Sequence, residues 1–110
     1  MIILAHSQSG KSTVSAALGL LTILEDPGAL VLIISRYQMK SGELFRKLCG
    51  YYDRLGRPVP AVEDRADTLA LSNGSRCVAL PNSPNTIVGF SDPKIIIFDE
   101  SSMISYDTYA

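Results

Sequence analysis

Metal-binding and cross-linking side chains are scarce in this chain of 110 residues, which has one histidine, His6, and two cysteines, Cys49 and Cys77. The cysteines stand far apart, form no C-x-x-C pair and have no histidine pair near them. Nothing therefore suggests a zinc site or a disulfide framework, and both read as reduced, partly buried thiols. Charge of one sign is also lacking. Ten Lys and Arg against 11 Asp and Glu leave a formal net charge of -1 at pH 7, so the chain as a whole carries no basic footprint for nucleic acid. Local basic positions exist at Arg36, Lys40, Arg46, Lys47, Arg54 and Arg57, and they read as a solvated face. Long hydrophobic runs are missing too. The apolar stretch over residues 14–24 is about half a bilayer span, and Ser15, Gly19 and Thr22 interrupt it, so it reads as a core helix. No signal peptide is expected, since a glycine-lysine loop occupies the place of the cleavage region. There is no internal repeat or low-complexity tract.

What is present fits one globular domain with 46% hydrophobic composition. Residues 1–5 form a short apolar run suited to a buried parallel strand that leads into Gly10-Lys11. From Lys11 the apolar positions Val14, Ala17, Leu18 and Leu21 follow helical spacing, and Pro27-Gly28 stops the helix. Residues 30–35 are a second aliphatic strand. A second helix follows, with Leu44, Leu48 and Tyr51 on one face beside Phe45 and Tyr52, and with Gly56 and Pro58 at its exit. Residues 58–67 read as a loop. Asn73-Gly74 predicts a two-residue hairpin between residues 68–72 and 75–80, with Leu69 facing Val78. Residues 81–93 read as a surface loop and 94–98 as a strand that ends in carboxylates.

Two segments carry chemistry. At Gly10, Lys11, Ser12 and Thr13, backbone N–H groups at a helix start can wrap phosphates. Lys11 can reach the β- and γ-phosphates, and Ser12 can offer its hydroxyl to Mg²⁺. The full pattern has glycine six residues before the lysine, where this chain has Ala5, so the motif is a variant. Ser9 and Gln8 add small or polar groups and backbone donors beside the nucleotide, while His6 is assigned no role. Downstream, Ile95, Ile96, Ile97 and Phe98 lead to Asp99 and Glu100. Asp99 at a strand's end could hold Mg²⁺ through water opposite Ser12, and Glu100 could orient and polarise the attacking water. Either segment alone is compatible with a chance match or a plain strand end. Together they read as a P-loop ATPase core that takes ATP and Mg²⁺.

These residues resemble a known family, the large terminase subunit, the DNA-packaging motor of tailed phages. The loop His6-Ser7-Gln8-Ser9-Gly10-Lys11-Ser12-Thr13 is similar to the family's Ser-Arg-Gln-x-Gly-Lys-Ser/Thr pattern. The run from Ile96 through Asp99, Glu100, Ser101 and Ser102 is similar to its apolar run followed by Asp-Glu-Ala-Ala. Ser72-Asn73-Gly74-Ser75-Arg76 and Thr86-Ile87-Val88-Gly89-Phe90-Ser91 resemble its Asn-Gly-Ser hairpin and its later Arg-Gly segment, in order along nearly the whole chain. The resemblance implies an α/β fold, a P-loop NTPase of RecA-like, glutamate-base type with a mainly parallel sheet flanked by helices. It implies ATP hydrolysis that drives double-stranded DNA into a procapsid. Lys11 and Glu100 would be catalytic, Asp99 and Ser12 would be metal ligands, and Gln8, Ser9, Gly10, Lys11, Ser12 and Thr13 would contact nucleotide. The implied partners are double-stranded DNA, a portal protein, a small terminase subunit and further copies of the full-length chain, in the cytoplasm of an infected bacterial host and without a membrane.

The chain departs from the pattern where Ser7 replaces the family's loop arginine and Val88 its later arginine. An arginine that stabilises phosphoryl transfer is worth roughly 10³ or more in rate, so Ser7 permits binding with slow hydrolysis. In RecA-like ATPases a strand after the carboxylate segment inserts beside the phosphate-loop strand, and no such segment follows Glu100 before Ala110. Residues 1–110 are therefore expected to be a partial ATPase domain with no nuclease domain, and with an open gap in its sheet. Two other functions stay open: a nucleotide-binding module without turnover, and another DNA-dependent P-loop ATPase such as a helicase-like protein.

Overall fold

The computed structural model describes residues 2–6, 9–35, 38–81, 89–90 and 92–99. The elements run β1 (Ile2–His6), α1 (Ser9–Glu25), β2 (Leu30–Ser35), α2 (Gln38–Arg54), β3 (Ala61–Asp64), β4 (Thr68–Leu71), β5 (Arg76–Pro81) and β6 (Ile95–Asp99). They form one six-stranded sheet in the order β1-β6-β2-β5-β4-β3. β1, β6, β2 and β5 are mutually parallel, and β4 and β3 continue the sheet antiparallel. The aliphatic runs in β1, β2 and β6 suit parallel strands, which lie between two covered faces.

Handedness decides where the helices go. The steps from β1 to β2 and from β2 to β5 move in the same direction across the sheet, so right-handed crossovers put both connections on one face. α1 and α2 accordingly share a core with Val31, Ile33, Cys77, Ala79, Ile95 and Ile97. Both described helices lie on the same side of the sheet. The step from β5 back to β6 runs the other way and belongs on the opposite face. There Leu30, Leu32, Ile34, Val78, Leu80 and Ile96 form a second apolar cluster, with Phe90 from the returning connection packed on it. Alternation along each strand separates the two clusters.

The expected gap in the sheet is absent among the described residues. β6 pairs with β1 from Ile2↔Ile95 to His6↔Asp99 and with β2 from Val31↔Ile95 to Ser35↔Asp99, so β6 fills the place between them. The hairpin register also differs from expectation, with Leu69 opposite Cys77 instead of Val78. Leu71 N–H bonds the Ser75 carbonyl at 2.9 Å and Gly74 N–H bonds the Leu71 carbonyl at 3.0 Å. With Gly74 at φ +89, this is a three-residue loop with glycine in the left-handed position. Within the segment expected to be a loop, β3 adds a short edge strand opposite β4. Its alternating exposure and its Glu63 and Asp64 suit a sheet edge.

The inward face of α1 is corrected as well. Ser15, Ala16, Leu20 and Ile23 are buried, while Val14 (67% exposed), Leu18 and Leu21 point outward. α1 is apolar nearly all round, so spacing alone could not choose a face; the small residues chose it. A Cβ on Gly19 would lie 3.3 Å from Leu48 Cδ1 and 3.4 Å from both Ile97 Cδ1 and Val31 Cγ1, so the glycine side is where α1 comes closest to sheet and α2. α2 buries Leu44, Phe45, Leu48 and Tyr52. It ends in a left-handed Gly56 turn in which Gly56 N–H bonds the Asp53 carbonyl and Arg57 N–H the Tyr52 carbonyl. Arg57 then ties this exit to β3 through Asp53 at 2.8 Å and Asp64 at 3.0 Å, over the Tyr52 ring.

Two substitutions on adjacent residues test which face of α1 is buried. In urea denaturation Leu20→Ala is expected to cost about 2–5 kcal/mol and Leu21→Gln to stay within about 0.5 kcal/mol of the parent. Equal losses would contradict the orientation of α1 described here.

Candidate functional site

The four parallel strands end at one level. In the register, His6 pairs with Asp99, Asp99 with Ser35, and Ser35 with Pro81, and each is the last residue of its strand. Ligands of open parallel sheets bind beyond these carboxyl ends, where loops and helix N-termini converge. Asp99 is in the middle of this row. Its backbone is one strand spacing, about 4.8 Å, from that of His6 on one side and Ser35 on the other.

Both helices start at the same end of the sheet. After β1 ends at His6, α1 begins at Ser9, so Ser9, Gly10, Lys11, Ser12 and Thr13 are its opening residues. After β2 ends at Ser35, α2 begins at Gln38. The first four N–H groups of a helix have no partner within it, and with the helix dipole they favour an anion. Neither helix has an acidic residue in its first turn to meet that need locally. The fold thus brings two of the expected segments together, the glycine-lysine start of α1 and the carboxylate end of β6. Gln8 and Glu100 lie outside the described residues, as do Ser7 and residues 82–88.

The donor types at this end suit Mg²⁺, a hard cation that takes one or two carboxylate or hydroxyl oxygens from protein and the rest from water and phosphate. Asp99 and Ser12 are such donors. Among the described residues no cluster of three or more His, Cys, Asp or Glu could hold a metal by itself. No helix among them is long and apolar enough to cross a membrane. Of the local basic positions, Arg46, Arg54 and Arg57 are exposed, and Arg57 spends its charge on Asp53 and Asp64.

The two thiols are far from this row in chemical character as well as in place. Both are free; Cys77 is fully buried and Cys49 half-buried. Burial is the main cause that pushes Cys49 up to about 11, helped by the negative charges of Asp64 and Asp53 and opposed by Arg57. Burial likewise raises Cys77. Neither thiol supplies a nucleophile near neutrality. Sequence reading did not single out Ser35, whose place in the row follows only from strand order. It also missed Asn73 and Ser75 as anchors of α1, although the missing N–H of Pro27 was a signal for them.

No protein-family model matches the chain, and no curated protein matches it. Among solved structures it is similar to the ATPase domain of the large terminase of Thermus phage P74-26. The TM-score is 0.71 at 17% sequence identity, over 98% of this chain and 50% of that one. The chain thus spans about half the length of that structure. At this identity the likeness shows the fold, a mixed α/β domain with a mostly parallel sheet and two helices.

Because both thiols titrate above their ordinary range, an aromatic disulfide reagent at pH 8 should modify them only as fast as the chain opens, at a rate that climbs with denaturant. Stability should fall as pH rises from about 8.5, where unfolded thiols begin to ionise, toward 11. Immediate reaction of either thiol in buffer would refute the burial argument.

Proposed function

We propose that the chain is the nucleotide-binding part of an ATPase, a motor of the kind that packages double-stranded DNA. The observation that carries the reading is the register His6↔Asp99, which sets a strand-terminal carboxylate beside the strand that runs into Ser9, Gly10, Lys11, Ser12 and Thr13 at the start of α1. The fold shared with a terminase ATPase domain supports the motor assignment.

In this reading the α1 N-terminus receives the phosphates of ATP. Backbone N–H groups and the helix dipole neutralise their charge, and Lys11 adds a cation at the β- and γ-phosphates. Ser12 and Asp99 would hold Mg²⁺, which when bound lowers the charge of the phosphate oxygens. Glu100 follows Asp99 and would accept a proton from the water whose oxygen attacks the γ-phosphorus, with ADP leaving. Gln8 lies in the connection into α1 and would contact nucleotide. Ser7 supplies no cation to the transition state, so turnover is slow unless another subunit brings one. Double-stranded DNA, a portal protein, a small terminase subunit and further copies of the full-length chain would be partners, in the cytoplasm of an infected bacterium.

A second reading, nucleotide binding without turnover, draws on the direct pairing of β1 with β6, which leaves no strand between them to carry a coupling residue among those described. A helicase-like ATPase would share the same site.

Nucleotide binding followed by titration of a fluorescent ATP analogue, together with phosphate release, separates an ATPase from binding without turnover, and a strand-separation assay on duplex DNA distinguishes a helicase-like ATPase. Lys11→Ala should abolish measurable binding, while Glu100→Gln should keep binding and lose turnover by roughly 10²–10⁴-fold. Binding that survives Lys11→Ala would overturn the site. Saturable binding by the parent chain with no phosphate release, DNA present, would select the second reading.

A further inference from the structure

We propose that Asn73 and Ser75 are positioning residues for the nucleotide phosphates, and that they act through α1 from its opposite end. This inference rests on the nucleotide reading of the α1 N-terminus.

It starts from a missing donor. In a continuing helix the Ile23 carbonyl would accept from the N–H of residue 27, but residue 27 is proline and has none. Ile23 is fully buried, so its carbonyl cannot simply turn to water. The loop between β4 and β5, fifty residues away, supplies the replacement. Asn73 Nδ2 donates to the Ile23 carbonyl at 2.9 Å, and Ser75 Oγ lies 2.6 Å from the same oxygen. The Ser75 hydroxyl is also 2.6 Å from Asn73 Oδ1, which accepts the Ser75 N–H at 3.0 Å, so its one proton is shared between Asn73 Oδ1 and the Ile23 carbonyl while Asn73 Nδ2 donates to Ile23 throughout. Ser75 is 1% exposed, so these bonds do not compete with solvent.

More contacts lock the same junction. Gly28 N–H donates to the Asn73 carbonyl at 3.2 Å and Arg76 N–H to the Ala29 carbonyl at 2.8 Å. On the other side of the α1 exit, Lys94, the residue before β6, pairs with Asp26 at 2.8 Å. The base of α1 is thus tied to β5 and β6, whose far ends Pro81 and Asp99 stand in the row at the candidate site.

A helix transmits such an anchor. From Ile23 back to Ser9 is about 21 Å of α-helix, stiff along its axis. Elsewhere α1 is packed through Ala16, Gly19 and Leu20, apolar contacts that are less directional than hydrogen bonds. The directional bonds at Ile23 set the axial position, and with it the height of the first-turn N–H groups over the strand ends. A misplacement of about 1 Å at a reacting group can cost 10²-fold, so the anchor bears on phosphate binding.

The test uses the 110-residue chain with Asn73→Asp and Ser75→Ala. The first keeps the Oδ1 acceptor for Ser75 and removes the donor to Ile23, and the second removes the hydroxyl. Leu69→Ala, a buried substitution in β4 whose side chain makes none of the hydrogen bonds at the α1 exit, serves as the control, with urea added to bring all variants to equal stability. The readouts are the dissociation constant of a fluorescent ATP analogue and hydrogen exchange at the amides of residues 13–16, the first within α1 to have intrahelical acceptors. Asn73→Asp and Ser75→Ala should raise the dissociation constant about tenfold over the control and speed that exchange. A dissociation constant equal to the control's, when the parent binds, overturns the inference and leaves the nucleotide reading intact. If the parent binds no nucleotide, the nucleotide reading and the phosphate role fall together, and faster exchange than in the control then supports only the mechanical link along α1.

Discussion

Parallel pairing of β6 between β1 and β2 is the constraint on which the rest of this molecule depends. Parallel neighbours cannot be joined by a tight turn, so each must be reached by a crossover, and right-handedness fixes the face each crossover takes. Both described helices fall on one face, and Phe90, shortly before β6, packs on the other. The register follows from burial. Ile95 and Ile97 face the helices and Ile96 faces the second cluster, and a slip by one residue would exchange them. The same register puts Asp99 level with His6 and Ser35, so the aliphatic core and the candidate site are set by one choice of alignment.

α1 links that site to the opposite end of the sheet. Its glycine and alanine side lets it press against Val31, Ile97 and Leu48, which leaves Val14, Leu18 and Leu21 outward as an apolar strip. At its exit, Pro27 withholds a donor and the Asn73 and Ser75 loop provides it. The loop that looks like a simple hairpin turn is therefore also a cap for a helix that comes fifty residues earlier. Its register, one residue off a two-residue turn, accommodates that second task through the left-handed Gly74.

The proposed ATPase chemistry needs few parts, and the described ones meet at the strand ends: the start of α1 and the end of β6. Within that proposal, the sequence has Ser7 where the resembled pattern has an arginine, and β1 pairs directly with β6. Both are consistent with binding that outpaces hydrolysis.

Much of the fold was legible because its signals are local. The aliphatic run of β2, the helix read from Leu44, Leu48 and Tyr51 with Phe45 and Tyr52 beside them, and the stops at Pro27 and Gly56 depend on neighbours a few residues away, so the sequence by itself determined them. Tertiary structure alone decided which side of α1 is buried, that β3 joins the sheet edge, that Leu69 meets Cys77, and that β6 lies between β1 and β2. Each of these compares packings between segments distant in the chain. An all-round apolar helix or an Asn-Gly turn is locally compatible with several of them, and only close packing at Gly19, the orphaned carbonyl of Ile23 and the handedness of the crossovers select one.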